Sequence, residues 1–361
     1  MENDILCEKL RALEPYRTEA GEPVPIHLDA NESFIPLSDA MRREIGEKLA
    51  AAIFNRYPDP LAGDTCAAFG RRYGIDPRFI TAGNGSDELL SVLFNTFVQR
   101  GETVVLTAPD FSMYRIYAGM AETRPVVVAK NGDLTFDPEE LIAAANREHA
   151  RMVLFSNPCN PTGQGFTAAQ VLDMVRRIHA LVVVDEAYMD FWDESIMPHV
   201  MEYENLMVLR TCSKVGLAAA RLGFAVAGDR LTERLRAAKS PYNVNALTQT
   251  AGTVFLSDRE WLDGAVASIR RSRDKLFAGL RRLSGSHAGR MRVFPSHTNF
   301  VTVRMPDAAK CRQRLQGQGI SVRLLGGDLL RITTGAPEEN RALLDALEKY
   351  LAVPAKKEDA R

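Results

Sequence analysis

Through its middle third the chain alternates short Val/Leu-rich runs with amphipathic stretches of helical period, and few folds accommodate that alternation. Strands are expected at Thr103–Leu106, Met152–Phe155, Leu181–Val184, Met207–Arg210 and Phe224–Ala227. Helices are expected over Glu88–Val98, Ala168–Ile178 and Leu231–Ala238. A strand that is apolar at every position has to be covered on both faces, and strands separated by helices pair in parallel. The expected class is therefore α/β, a mostly parallel sheet with helices on both faces. Ligands in such sheets gather at the carboxyl ends of the strands, where loops meet helix N-termini.

The C-terminal third reads differently. A long helix is expected over Arg259–Leu283, then short strands at Met291–Phe294, Asn299–Arg304 and Leu329–Thr333, flanked by helices at Ala308–Gln316 and Glu338–Leu351. This pattern describes a smaller α+β unit. A chain of 361 residues is also long for a single core. The expected division is a large domain over residues 36–250 and a small one formed by residues 1–35 with 251–361.

Composition narrows the function. A formal charge of −1 gives no electrostatic case for nucleic acid or an anionic membrane, so an anionic ligand must be held by local groups. The five cysteines are scattered without a CxxC pair, and the six histidines form no ligand-spaced cluster. Neither a disulfide framework nor a metal site is expected. The N-terminal MENDILCEKLRALEPY lacks the apolar core of a signal peptide, and no run approaches ~18 apolar residues. A cytoplasmic, metal-free protein is the expectation.

Four segments carry chemistry. In LRTCSKVGLAAARLGF (209–224), Lys214 follows a buried strand, where desolvation favours the neutral amine that attacks an aldehyde. Thr211, Ser213 and Arg221 beside it suit a phosphate, although a solvated loop lysine gives the same pattern. AGNGSDELL (82–90) puts the amides of Gly85, Ser86 and Asp87 at a helix start, which is an anion site or merely a helix cap. SNPCNPTG (156–163) leaves Asn160 at the sheet edge, able to hydrogen-bond a ring oxygen or to serve as turn chemistry alone. LVVVDEAYMDF (181–191) ends a buried strand on Asp185, whose carboxylate needs a cation such as a protonated pyridine nitrogen. Tyr188 lies three residues on, and a nucleotide-hydrolysing reading of the Asp-Glu pair fails for want of a P-loop.

Taken together, these residues resemble the fold-type I aminotransferases, and within them most closely the histidinol-phosphate branch. The resemblance runs from Tyr16 to Leu351 through LRALEPY, LDANES, RYPDP, GNGSDE, NPCNPTG, VVVDEAY, LRTCSK, SPYNVN and LRITTGAPEEN. It implies pyridoxal 5′-phosphate as cofactor, with Lys214 holding its aldehyde, Asp185 its ring nitrogen, and Asn160 with Tyr188 its ring oxygen. Ser86, Asp87, Thr211, Ser213 and Arg221 would surround the phosphate, joined by Tyr57 from a second subunit of a homodimer. Phe111 falls where the family usually stacks a tyrosine on the ring, and stacking survives that change. Arg323, Arg331 and Asn31 would meet substrate, with Tyr16 reaching across the dimer.

The implied reaction transfers an amino group from histidinol phosphate to 2-oxoglutarate, Lys214 carrying the proton on and off the substrate carbon. The donor has a phosphate and no carboxylate, the acceptor the reverse; the guanidinium forks of Arg323 and Arg331 fit both. A threonine-phosphate decarboxylase and an aromatic aminotransferase remain as relatives on the same scaffold, as does a non-catalytic cofactor-binding regulatory domain. Three departures from the family pattern stand out. Arg221 follows Lys214 by seven residues, one fewer than in many relatives, which puts its phosphate contact in question. Cys159 replaces a commoner asparagine and Cys212 adjoins the lysine; both are expected to be small buried filler. The stretch from Arg323 to Arg331 is short.

Overall fold

The computed structural model describes residues 7–11 and 24–353. The chain begins with α1 (Glu8–Arg11), β1 (Ile26–Leu28), α2 (Asp39–Ala50), α3 (Gly63–Tyr73), β2 (Ile80–Asn84) and α4 (Gly85–Thr96). It continues with β3 (Thr103–Ala108), α5 (Met113–Met120), β4 (Arg124–Ala129), α6 (Pro138–Arg147), β5 (Met152–Ser156) and α7 (Ala168–Arg177). Next come β6 (Leu181–Asp185), β7 (Leu206–Thr211), β8 (Leu222–Ala227), α8 (Asp229–Ala238), α9 (Ala246–Ser257) and α10 (Arg259–Ser286). The last elements are β9 (Arg292–Val293), β10 (Phe300–Arg304), α11 (Ala308–Gln316), β11 (Ile320–Leu324), β12 (Leu329–Thr333) and α12 (Pro337–Ala352).

The larger sheet has seven strands in the order β2-β8-β7-β6-β5-β3-β4. β7, β6, β5, β3 and β4 pair in parallel, and β8 runs antiparallel to both β7 and β2. The expectation of a mostly parallel sheet therefore holds. β8 reverses because Cys212–Arg221 is a tight connection without a crossover helix, and a parallel return needs one. Successive strand residues face opposite layers, as period 2 requires. Val105, Val153, Val182, Val184 and Val208 belong to one buried cluster, while Val104, Leu154, Val183, Met207 and Leu209 belong to the other. Every expected strand of this sheet is present, each one or two residues longer than its apolar run.

The smaller sheet has the order β1-β11-β12-β10-β9, and β1 pairs in parallel with β11. An N-terminal segment thus joins a C-terminal sheet, which carries the residues after β1 to the edge of the larger one. The division expected near residue 250 falls inside α9, whose Val254, Phe255 and Leu256 are buried in the larger core. α10 then spans both units: Leu262 and Ile269 pack in the larger core, Leu276 and Leu280 in the smaller. Among the described residues no helix is long and apolar enough to cross a membrane.

Candidate active site

Four parallel strands end at one edge of the larger sheet, and each delivers polar groups there. Asp110 follows β3, Ser156 closes β5, Asp185 closes β6 and Thr211 closes β7. The antiparallel pair adds to the same edge, since β2 ends where α4 begins and β8 starts just after Arg221. These groups line a cavity of about 380 Å³ that also receives Asp29 and Asn31 from beyond β1, and Arg323 and Arg331 from β11 and β12. That volume lies in the ordinary range for small-ligand sites.

At the floor, Asp185 is 4% exposed and has no cationic side chain within ion-pair distance among the described residues. Its Oδ1 accepts from the Ala187 N–H at 3.0 Å and its Oδ2 from the Tyr114 hydroxyl at 2.8 Å. Burial pushes its pKa up to about 6, against the lowering effect of those two hydrogen bonds. A buried carboxylate fixed by two neutral donors and lacking a counter-ion fits a cationic ring nitrogen. Phe111 meets Tyr114 edge-on, with ring centroids 5.5 Å apart at 88°. Lys214 Nζ stands 5.7 Å from the Tyr188 ring centroid, and the Tyr188 hydroxyl accepts from Asn31 Nδ2 at 2.8 Å.

An anion cradle lies between α4 and β8. α4 starts without a side-chain cap on its first amides, leaving N–H groups of its first turn for a ligand. Gly85 has φ +74°, and a Cβ there would stand 2.9 Å from the Arg221 guanidinium. Arg221, itself at φ 52°, donates from Nη2 to Asp87 Oδ2 at 3.1 Å, and both line the cavity with Ser86. Asp87 thus orients the guanidinium through its side chain. Thr211 Oγ1 donates to Ser213 Oγ at 3.0 Å, placing two hydroxyls beside the same cradle. The short spacing from Lys214 does not remove Arg221 from the site, because Ser213–Leu217 form one wide turn containing Gly216 at φ 136°.

The third group is cationic. Arg323 and Arg331 are directly opposed across the antiparallel β11–β12 pair, and both line the cavity. Arg331 donates to Asn160 Oδ1 and to the Asp29 carbonyl, each at 2.6 Å. That leaves Asn160 Nδ2 as the donor available to a ring oxygen. Like charges directly opposite one another destabilise a strand pair, so two arginines in register at one cavity wall are an unusual arrangement.

The comparisons with known proteins agree with this geometry. Residues 24–347 match the family model described as aminotransferase class I and II. The chain belongs to the class I and II aminotransferases. It is 35% identical over 353 residues to a histidinol-phosphate aminotransferase of Clostridium novyi, covering 96% of this chain and 98% of that one. It is 37% identical over 353 residues to one of Chromobacterium violaceum, with the same coverage. Among solved structures it resembles histidinol-phosphate aminotransferase from Sinorhizobium meliloti in complex with pyridoxal-5′-phosphate. That likeness has a TM-score of 0.86 at 24% identity, over 96% of this chain and 98% of the other.

Not every expected aminotransferase residue lines the cavity. Tyr57 is 81% exposed on this protomer's surface, stacked on Tyr242 with ring centroids 4.6 Å apart. Tyr16 lies outside the described residues. Cys212 and Cys159 are both buried, and Cys159 Sγ also accepts from Lys130 Nζ at 2.9 Å. Two contributors escaped the sequence reading. Tyr114 holds Asp185, and its only signal is its place three residues after Phe111, one helical turn away. Asp110 receives the hydroxyls of Thr107 and Ser156 and the Phe111 N–H, so it ties the stacking residue to the end of β5.

Proposed function

We propose that this aminotransferase transfers the amino group of histidinol phosphate to 2-oxoglutarate, giving imidazole acetol phosphate and glutamate, with pyridoxal 5′-phosphate as cofactor. The observation that carries the reading is the Arg323–Arg331 pair opposed across β11 and β12 in the cavity that holds Lys214. Paired guanidinium forks accept a phosphate or a carboxylate with equal geometric ease, which the two halves of this reaction require. The curated relatives named above are histidinol-phosphate aminotransferases.

Pyridoxal phosphate, when bound, supplies an aldehyde that condenses with amines and a ring that takes up electron density from the substrate carbon. Asp185 pairs with the ring nitrogen, and the Tyr114 hydroxyl with the Ala187 amide keeps its carboxylate aimed. Phe111 offers a ring face, and Asn160 and Tyr188 donate toward the ring oxygen. The α4 amides, with Ser86, Thr211, Ser213 and Arg221, bind the phosphate. Lys214 Nζ takes the proton from the amine-bearing carbon of the substrate, acting as general base and then general acid.

The site is completed by a second copy of the chain. Ile53, Phe54 and Tyr57 are 69%, 76% and 81% exposed on one segment, an apolar surface that a second protomer covers. Tyr57 then reaches the partner's phosphate, and the enzyme works in the cytoplasm as a homodimer.

Steady-state assays with histidinol phosphate, phenylalanine and threonine phosphate, each with 2-oxoglutarate, test the proposal. Glutamate should form fastest from histidinol phosphate. Carbon dioxide release from threonine phosphate without glutamate would overturn it. Lys214→Ala should abolish both turnover and the visible absorbance that the wild type gains on adding pyridoxal phosphate.

A further inference from the structure

We propose that Lys239 is a positioning residue for the neighbouring subunit's active site, because it fixes the segment that lends Tyr57 to that site. The inference rests on the shared-site reading above.

An exposed segment that only covered its own protomer would need no special anchoring, yet this one is tied down at several points. Lys239 Nζ donates to the Pro60 carbonyl at 2.8 Å, and Gln249 Nε2 donates to the Asp59 carbonyl at 2.8 Å. Asp59 Oδ1 accepts from the Leu61 N–H at 2.9 Å, closing the turn, and Tyr57 lies flat on Tyr242 at an interplanar angle of 17°. The aromatic ring is therefore presented to the outside on a preorganised support.

Lys239 is an unusual anchor. It is 8% exposed, and among the described residues it has no carboxylate within ion-pair distance. Its ammonium is spent on neutral acceptors, Pro60 O, Asn243 Oδ1 at 2.8 Å and Ser240 O at 3.5 Å. Burial lowers its pKa, as expected for a cation taken from water without a counter-ion in contact. A neutral side chain would hold a surface loop at less cost, so the charge has a use in holding one carbonyl with a strong, charge-assisted hydrogen bond.

Lys239 also reaches its own protomer's anion cradle, but only indirectly. Asn243 Nδ2 donates to Glu88 Oε2 at 2.7 Å, and that oxygen also accepts from the Asn84 N–H at 2.7 Å. Asn84 Nδ2 returns a hydrogen bond to the Asn243 carbonyl. These links anchor the start of α4 without including Lys239 and should survive its removal. Removing Lys239 therefore frees Pro60, three residues from Tyr57, and leaves the home cradle held.

Mixed dimers separate the two sites. A Lys239→Met chain keeps Lys214, and a Lys214→Ala chain keeps Lys239 and Tyr57. In the hybrid, the site with a working Lys214 borrows Tyr57 from a segment that Lys239 still holds. The Lys239→Met homodimer should lose on the order of 10- to 100-fold in kcat/KM, as small misplacements do. Mixing it with Lys214→Ala should restore one wild-type site per hybrid, in both kcat/KM and cofactor affinity. Tyr57→Ala mixed with Lys214→Ala is the control and should recover in the same way. Recovery in the control but not with Lys239→Met would overturn the inference, placing the defect in the home site. Recovery in neither would overturn the shared site and the inference with it. Lys239→Arg, which keeps a charged donor, should retain most activity as a homodimer. If Lys239→Met does not accumulate as a dimer, Lys239→Gln replaces it in the same mixing experiment, with the same outcomes.

Discussion

Asp185→Asn removes a charge that the cofactor-free fold holds in an unfavourable place. The carboxylate is 4% exposed, and its pKa is about 6 against an ordinary 3.8, chiefly because of burial. A folded-state acid with a raised pKa binds its proton more tightly than the unfolded chain does. Between pH ~4 and ~6 the folded state therefore carries the extra proton, and stability falls as pH rises through that window. Above pH 6 the deficit is complete. A shift of about two pKa units corresponds to about 3 kcal/mol. Asparagine keeps an acceptor for the Tyr114 hydroxyl but turns an NH2 toward the Ala187 N–H, which returns about 1 kcal/mol.

Cofactor-free Asp185→Asn should thus exceed the wild type by about 2 kcal/mol at pH 7, with the advantage fading toward pH 4. Urea unfolding of stripped protein, at fixed protein concentration across that pH range, measures it. Saturating pyridoxal phosphate should reverse the order, because only the wild type offers a counter-ion to the ring nitrogen. The reasoning fails if the stripped variant is no more stable than the wild type at pH 7. It also fails if the advantage persists undiminished at pH 4, since it would then have nothing to do with ionisation.

Two further substitutions probe the other groups. A Cβ on Gly223 would stand 2.4 Å from the Ser86 amide nitrogen, so Gly223→Ala must push β8 away from the start of α4. It should cost about 1–3 kcal/mol of stability and weaken cofactor binding measurably, so an unchanged affinity in a cofactor titration would argue against the cradle. Arg331→Lys replaces a fork that donates at 2.6 Å to Asn160 and to the Asp29 carbonyl by a single point charge. Its kcat/KM for histidinol phosphate should fall about 10- to 100-fold, the loss of about 1.5–3 kcal/mol of charge-assisted hydrogen bonding.

How much of this was legible depended on whether a residue's role was local. Lys214, Asp185 and Asn160 could be placed because each closes or follows a Val/Leu-rich strand, and strand ends are where parallel sheets collect ligands. β4 escaped notice because it is an edge strand with Arg124 and Pro125 exposed, so no continuous apolar run marks it. β11 was not expected as a strand although Arg323 was singled out, because its burial alternates through ISVRL. That gap hid the most telling feature of the substrate side, because the opposition of Arg323 and Arg331 is a matter of register. Sequence spacing shows a short connection; only pairing shows that the two arginines are register partners. Tyr114 was invisible for a related reason, since its partner Asp185 is 71 residues away.

These concealed features share a physical character. An ionised Asp185 without a counter-ion, two arginines opposed across a strand pair, an uncapped helix start and a buried Asp87 Oδ1 without a hydrogen-bond partner are each unfavourable in an ordinary interior. Three of them are also complements of one part of the proposed ligands: a ring cation for Asp185, a phosphate for α4, and a substrate anion for the arginine pair. The cavity therefore selects by requiring every charge at once. A ligand that lacks one of them leaves a desolvated group uncompensated, which discriminates more strongly than the loss of an apolar contact. The same requirement explains why the stripped protein should be the less stable form: the buried Asp185 carboxylate and the uncapped start of α4 gain their complementary charges only when the ligands bind.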